Sequence, residues 1–335
     1  MHKQINKITV VGGGSWATAN IKMLDDNTTE KEIFWWMRNR QAVEHIHKFK
    51  HNPNYLSSVE INVPPQNISS DLKSLVSGAD MLLLNVPAAF IKEALTGITA
   101  KDLEGKKIIS AIKGMVPDEN QIIGEFFNQH FGIPFEDFVV ISGPCHAEEV
   151  ALEKLSYLTI ASRDAELAAK FAGMISTRYI KTVVSDDIYG TEYGAVLKNI
   201  YAVASGICHG LGYGDNFQSV LISNAIRELE RFVAVVHPID RDIKESAYLG
   251  DLMVTAYSQF SRNRTFGNMI GKGYTVKSAQ LEMNMIAEGY YAVNSLHQVN
   301  KMYNVYMPIC DAVYAILYQK MPPALQMKHL AEQLS

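Results

Sequence analysis

The chain has 335 residues, 47% of them hydrophobic and 20% charged, which is ordinary globular composition and enough material for two domains. A formal net charge of −4 excludes a broad basic face, so no nucleic-acid partner is expected and any phosphate site must be local. Three scattered cysteines, Cys145, Cys208 and Cys310, make no disulfide framework, and no apolar run is long enough to span a bilayer or resembles a leader, so a cytoplasmic protein without an integral membrane segment is expected.

The first element in the chain is the most informative. Lys7–Ala19, KITVVGGGSWATA, reads as a short apolar strand, a glycine turn and a helix start. This is the G-x-G-x-x-G/A arrangement of a dinucleotide site: Gly12 permits the tight turn, Gly14 lets phosphates approach the backbone, and Ala17 allows close helix–strand packing. The N–H groups at the start of the following helix suit a pyrophosphate.

Further strands are expected at 33–37, 81–86, 107–111, 138–141 and 157–161, with a last short one near 179–183. Helix-favouring stretches such as 41–50 and 119–128 lie between them. Alternation of this kind predicts an α/β fold: an N-terminal Rossmann-like, doubly wound, mostly parallel sheet covered on both faces. From Asp186 onward the pattern turns helical, with long helices expected at 188–212 and 216–237 and later ones at 288–303 and 309–318. The expected division is therefore 1–185, a dinucleotide-binding domain, and 186–335, an all-helical substrate domain.

The end of the second strand bears on the cofactor. It reads Trp36-Met37-Arg38-Asn39-Arg40 and lacks the carboxylate that bonds a ribose hydroxyl. Arg38 and Arg40 either hold the 2′-phosphate of NADP(H), or Arg38 stacks over adenine and tolerates NAD(H) as well.

Candidate chemistry clusters in a few places. Lys198 lies on a long helix whose same face carries Ala195, Asn199, Ala202, Ser205 and Gly206. Small neighbours make it a candidate cleft wall, where burial lowers a lysine pKa and enables proton transfer; the alternative is a snorkelling lysine with its head in water. Lys113 follows a strand, in the region where open α/β sheets bind ligands. The turn Ser142-Gly143-Pro144-Cys145-His146-Ala147 offers a second anion or amide contact, with Cys145 as a helix cap or small pocket wall rather than a nucleophile. Asp251 precedes an apolar run and has the position of a helix cap. Ser261-Arg262-Asn263-Arg264 offers cationic and amide donors suited to a phosphate. His45, His47 and His51 are close in sequence, but no cysteine or carboxylate completes a ligand set and no metal is expected.

Together the ordered segments GGGSWATA, NVPAAF, SAIKGM, SGPCHAEEVA, VLKNIYAVASGICHGLGYGDN, LGDLMVTAYSQFSRNRTFG and IAEGYYAV resemble the bacterial-type NAD(P)-dependent glycerol-3-phosphate dehydrogenases. The resemblance implies reversible reduction of dihydroxyacetone phosphate to sn-glycerol 3-phosphate, supplying glycerophospholipid synthesis, with a homodimer as the usual assembly. It implies Lys198 as proton donor, Lys113 beside it stabilising charge on the carbonyl oxygen, and Asp251 positioning Lys198, with Asn199 and Thr255 in support. Arg262 and Asn263, with Ser261, are implied at the substrate phosphate, and Gly143 and Cys145 near substrate. Dinucleotide contacts fall at Ser15, Trp16, Arg38, Lys113, Ala147, Arg262, Ile286 and Glu288, along the Gly12–Gly14 turn. The chain departs from the family at Ala17, Asn85, Cys145 and Tyr213. Rival readings are a dehydrogenase of the same plan acting on a hydroxyacid, a cofactor-binding sensor without catalysis, and a scaffold. The Ser261–Gly267 segment argues against the first, and the intact polar set against the others.

Overall fold

The computed structural model describes residues 6–283 and 286–335. They form two compact units: the chain through Ile112 with Ile123–Ile188, and Lys113–Ile122 with Tyr189–Ser335. The first unit is thus interrupted by residues 113–122, a segment expected within the first domain that packs with the helical unit instead.

In the first unit eight strands make one sheet: β1 (Lys7–Val11), β2 (Glu32–Trp36), β3 (Ile68–Ser69), β4 (Met81–Leu84), β5 (Lys107–Ser110), β6 (Phe138–Ser142), β7 (Ser156–Ala161) and β8 (Ile180–Ser185). Their order is β3-β2-β1-β4-β5-β6-β7-β8. Neighbours run parallel except β6 and β7, which are antiparallel. Strand order reverses direction between β1 and β4, the switch point where this class of sheet binds ligands beyond the strand ends. Central strands are apolar on both faces because helices cover both: Ile8, Val10, Leu82, Leu83, Ile108, Ile109 and Val139 are fully buried.

The second unit is built on two long helices, Ile188–Gly210 and Asp215–Val236, with shorter ones following. Helix Ile188–Gly210 meets helix Arg262–Gly271 backbone to backbone. A methyl group added at Gly206 would lie 2.1 Å from the Arg264 carbonyl oxygen, and one at Gly267 would lie 2.1 Å from that of Val203. Gly206, on the Lys198 face of its helix, serves this close helix packing, and Ala195, Ala202 and Ser205 on the same face are buried. Among the described residues, no helix is long and apolar enough to cross a membrane.

Candidate active site

The glycine turn after β1 is held from behind. The Trp35 indole donates to the Gly12 carbonyl at 2.7 Å, and buried Asn52 donates to the Gly13 carbonyl at 3.1 Å. A trans peptide sets its C=O opposite the next N–H, so these two bonds turn the N–H groups of Gly13 and Gly14 the other way. Gly12 has φ +130°, and a side chain there would strike the Asn85 backbone at 2.9 Å. Gly14 faces open space, and no side chain caps the helix Ser15–Asp26 that follows it. Inward carbonyls, an uncapped helix start and free approach at Gly14 fit a dinucleotide pyrophosphate. Neither Trp35 nor Asn52 belongs to the glycine motif, so nothing in the spacing announces them.

Asn85, a departure from the family pattern, is answered by a second polar residue: Asn20 Nδ2 donates to its Oδ1 at 2.9 Å. Past the end of β2, Arg38 Nη1 pairs with Glu93 Oε1 at 2.8 Å, and Arg40 Nε lies 3.3 Å from Glu44 Oε1. At the turn after β6, Gly143 takes φ +114°, and a side chain there would meet the Tyr157 carbonyl at 2.8 Å. Cys145 is buried but does not cap; the cap position of helix Ala147–Ala151 belongs to His146. The three histidines are dispersed: His47 bonds the Ile68 carbonyl, His51 the Val59 carbonyl, and His45 packs on Phe49.

The second unit gathers most of the candidate catalytic side chains. Lys198 Nζ donates to Asp251 Oδ1 at 2.5 Å and to Thr255 Oγ1 at 3.1 Å. Lys113 Nζ takes the other carboxylate oxygen, Oδ2, at 3.1 Å. The Lys198 side chain is 6% exposed, so it does not snorkel. Burial pulls its ammonium down from the ordinary lysine range to about 7; the Asp251 charge opposes this and Lys113 adds to it. For Asp251, burial works against ionisation, yet the two ammonium groups outweigh it and hold the carboxyl below its usual range. One carboxylate between two ammonium groups leaves this trio a surplus positive charge, suited to an oxygen that becomes negative.

Asp251 owes its freedom from capping to a local irregularity. Ser246–Gly250 form a π-helical turn running straight into helix Asp251–Tyr257, so the helix has already begun and the carboxylate is left for the lysines. The expected capping role therefore gives way. Thr255, one turn on, donates to the Asp251 carbonyl at 2.6 Å while accepting from Lys198.

A chain of amides holds Lys113 in register with this cluster. Gly289 N donates to Asn263 Oδ1, Asn263 Nδ2 to Asn199 Oδ1, and Asn199 Nδ2 to the Lys113 carbonyl, at 2.9, 2.9 and 2.6 Å. Asn263 thus bonds Asn199, a contact its place beside Arg262 did not suggest. Ser261 is occupied as well: its Oγ accepts from Arg264 N and caps helix Arg262–Gly271. Arg262, the first residue of that helix, is half-buried. Glu288 opens helix Glu288–Tyr303 next to Gly289, and Ile286 lies two residues before it; both are half-buried.

Comparison with known proteins gives the family. The family model for the NAD-dependent glycerol-3-phosphate dehydrogenase N-terminus matches residues 7–168, and that for the C-terminus matches residues 187–328. Glycerol-3-phosphate dehydrogenase (NAD(P)+) of Oceanobacillus iheyensis is 35% identical over 332 residues, 98% of this chain and 94% of the relative. The protein of the same description from Bacillus subtilis is 33% identical over 327 residues, covering 96% and 93%. Among solved structures, glycerol-3-phosphate dehydrogenase from Coxiella burnetii superposes with a TM-score of 0.89 at 27% identity, over 98% of this chain and 99% of that one. D-mandelate dehydrogenase, at 19% identity and a TM-score of 0.60, shares the fold. Both halves of the polar and glycine-rich sets described above lie within the matched regions, and the chain belongs to the NAD-dependent glycerol-3-phosphate dehydrogenase family.

Proposed function

We propose that the chain reduces dihydroxyacetone phosphate to sn-glycerol 3-phosphate, reversibly, with Lys198 as the group that gives and takes the proton. A bound NAD(P)H supplies the hydride. The ketone oxygen gains negative charge as its carbon is reduced, and Lys198 protonates it while Lys113 steadies the charge. Asp251 holds both ammonium groups and bonds a substrate hydroxyl; Thr255 and Asn199 keep the two lysines in place. Arg262 grips the substrate phosphate, remote from the reacting carbon, and so contributes orientation rather than chemistry. The Gly12–Gly14 turn with Ser15 and Trp16 holds the pyrophosphate, and Arg38 lies at the adenosine ribose. Ala147, Ile286 and Glu288 complete the dinucleotide contacts, and Gly143 and Cys145 border the substrate. The enzyme works in the cytoplasm as a homodimer, feeding glycerophospholipid synthesis.

The observation that carries this reading is the buried Lys198–Asp251–Lys113 trio: a lysine whose pKa burial has drawn towards neutrality, beside a second positive group. The test follows nicotinamide absorbance with purified protein, dihydroxyacetone phosphate, and NADH or NADPH in separate assays. Oxidation of either dinucleotide that requires the phosphorylated ketone supports the reading. Folded protein that binds the dinucleotide but does not oxidise it when dihydroxyacetone phosphate is supplied overturns it.

A further inference from the structure

The two arginines after β2 are the only cations that the strand-end sequence offers to a 2′-phosphate, and the structure shows each committed to a carboxylate of the protein. The pairs differ in kind. Arg40 and Glu44 are one helical turn apart on the same helix, Arg40–Phe49, an ordinary surface arrangement. Arg38 and Glu93 are 55 residues apart in sequence, and their contact is made across the sheet. Arg38 follows β2, whereas Glu93 lies on the short helix Ile91–Ala94 that follows β4. In the sheet β1 lies between β2 and β4, so the pair joins the two strand ends that flank the glycine turn. The guanidinium also lies 5.9 Å from the Phe90 ring centroid, on the same β4 side. Arg38 is thereby drawn towards the segment carrying Phe90 and Glu93.

Resting on the reading of Gly12–Gly14 as the pyrophosphate site, we propose that Glu93 is a determinant of coenzyme choice that disfavours a 2′-phosphate on the adenosine ribose. A 2′-phosphate seeking Arg38 has to share the guanidinium with the Glu93 carboxylate and endure it as a neighbouring like charge. The two hydroxyls of an unphosphorylated ribose ask neither. The Arg38–Glu93 pair is largely exposed, its side chains 69% and 59% accessible, so it is exchangeable rather than locked. The outcome is an enzyme that accepts NADH readily despite two arginines and no acidic residue at the end of β2. Glu93 touches the ligand through Arg38, as a positioning residue.

Direct binding separates this from a general effect on the fold. Dissociation constants are measured without ketone substrate for NADH and NADPH, and for 5′-AMP and adenosine 2′,5′-bisphosphate as fragments, on the parent, Glu93→Gln and Arg38→Gln. Glu93→Gln is expected to tighten the 2′-phosphorylated ligand of each pair by roughly five- to tenfold relative to its partner, the scale of one exposed like-charge contact, and the gain shrinks as salt is raised. Arg38→Gln is expected to weaken the 2′-phosphorylated ligands selectively. If Arg38→Gln does so while Glu93→Gln leaves both ratios unchanged, Arg38 reads the 2′-position and Glu93 does not, which overturns the proposal alone. If neither variant moves the ratios, Arg38 does not reach the 2′-position and the proposal falls with it. A parent protein that binds no dinucleotide overturns the pyrophosphate reading itself.

Discussion

Replacing Lys198 by Met separates chemistry from folding. The methionine keeps the buried aliphatic stem, so no large cavity opens, and removes only the ammonium. Asp251 loses its 2.5 Å partner but retains Lys113 at 3.1 Å on its other oxygen, so the carboxylate is not left buried and alone. Losing the ammonium's hydrogen bonds to Asp251 and Thr255 costs about 1.5–3 kcal/mol each, and this is offset by no longer burying an ammonium. The melting temperature is therefore expected to fall by a few degrees at most. Turnover is another matter. Without its general acid the reduction slows by roughly 10²–10⁴-fold, while dinucleotide affinity stays put. The assay is single-turnover absorbance with saturating dihydroxyacetone phosphate, alongside thermal unfolding. A folded Lys198→Met protein turning over within about tenfold of the parent would refute the assignment of Lys198 as proton donor.

The pH dependence follows from the same lysine. Reduction needs Lys198 protonated, so its kcat/KM falls as pH rises through the lowered pKa of about 7, whereas kcat/KM for oxidation of glycerol 3-phosphate needs the neutral amine and rises over the same interval. Asp251→Asn removes the charge that props the lysine pKa up, so both limbs move to lower pH; limbs that stay in place count against the coupling. Arg262→Ala is expected to raise KM for dihydroxyacetone phosphate far more than for unphosphorylated dihydroxyacetone, and an equal change for both would remove Arg262 from the phosphate. Gly267→Ala pushes a methyl group to 2.1 Å from the Val203 carbonyl oxygen, a backbone clash no rotamer relieves. It should destabilise by about 3 kcal/mol or more, and a melting temperature equal to the parent's would contradict the close helix contact.

Where the chain's pattern is strong, structure and sequence agree: the strand–helix alternation, the mostly parallel sheet and, among the described residues, the all-helical second half are all present. Misses fall where local pattern is silent. β3 is two residues, Ile68 and Ser69, too short to show a period. The helix expected from 119 begins at Ile123, because Asp118 and Asn120 take positive φ and a Val116–Gln121 bridge closes a turn first. Lys113 was legible as a residue beyond a strand, but not as the start of a segment that packs with the helices, since that is decided by tertiary contacts. Asp251 was visible as a cap because an aspartate before an apolar run usually is one; the π-helical turn ahead of it is not written in any composition signal. The amide chain through Asn199 and Asn263 was invisible as a chain, since its members lie 64 residues apart.

That amide chain also restricts which sequences can occupy the fold. Each of its two side chains must accept at one atom and donate at the other, in one direction, from Gly289 N to the Lys113 carbonyl. Aspartate loses the donor, leucine loses both functions, and glutamine carries its amide one carbon too far for a relay built at 2.6–2.9 Å. A change at position 199 cannot be repaired by a matching change at 263, because no other pair of side chains of this size carries the same polarity. Drift is open at an exposed pair such as Arg40–Glu44 and closed at these two asparagines, so homologues that retain the reaction should keep both or have rebuilt the whole connection to Lys113.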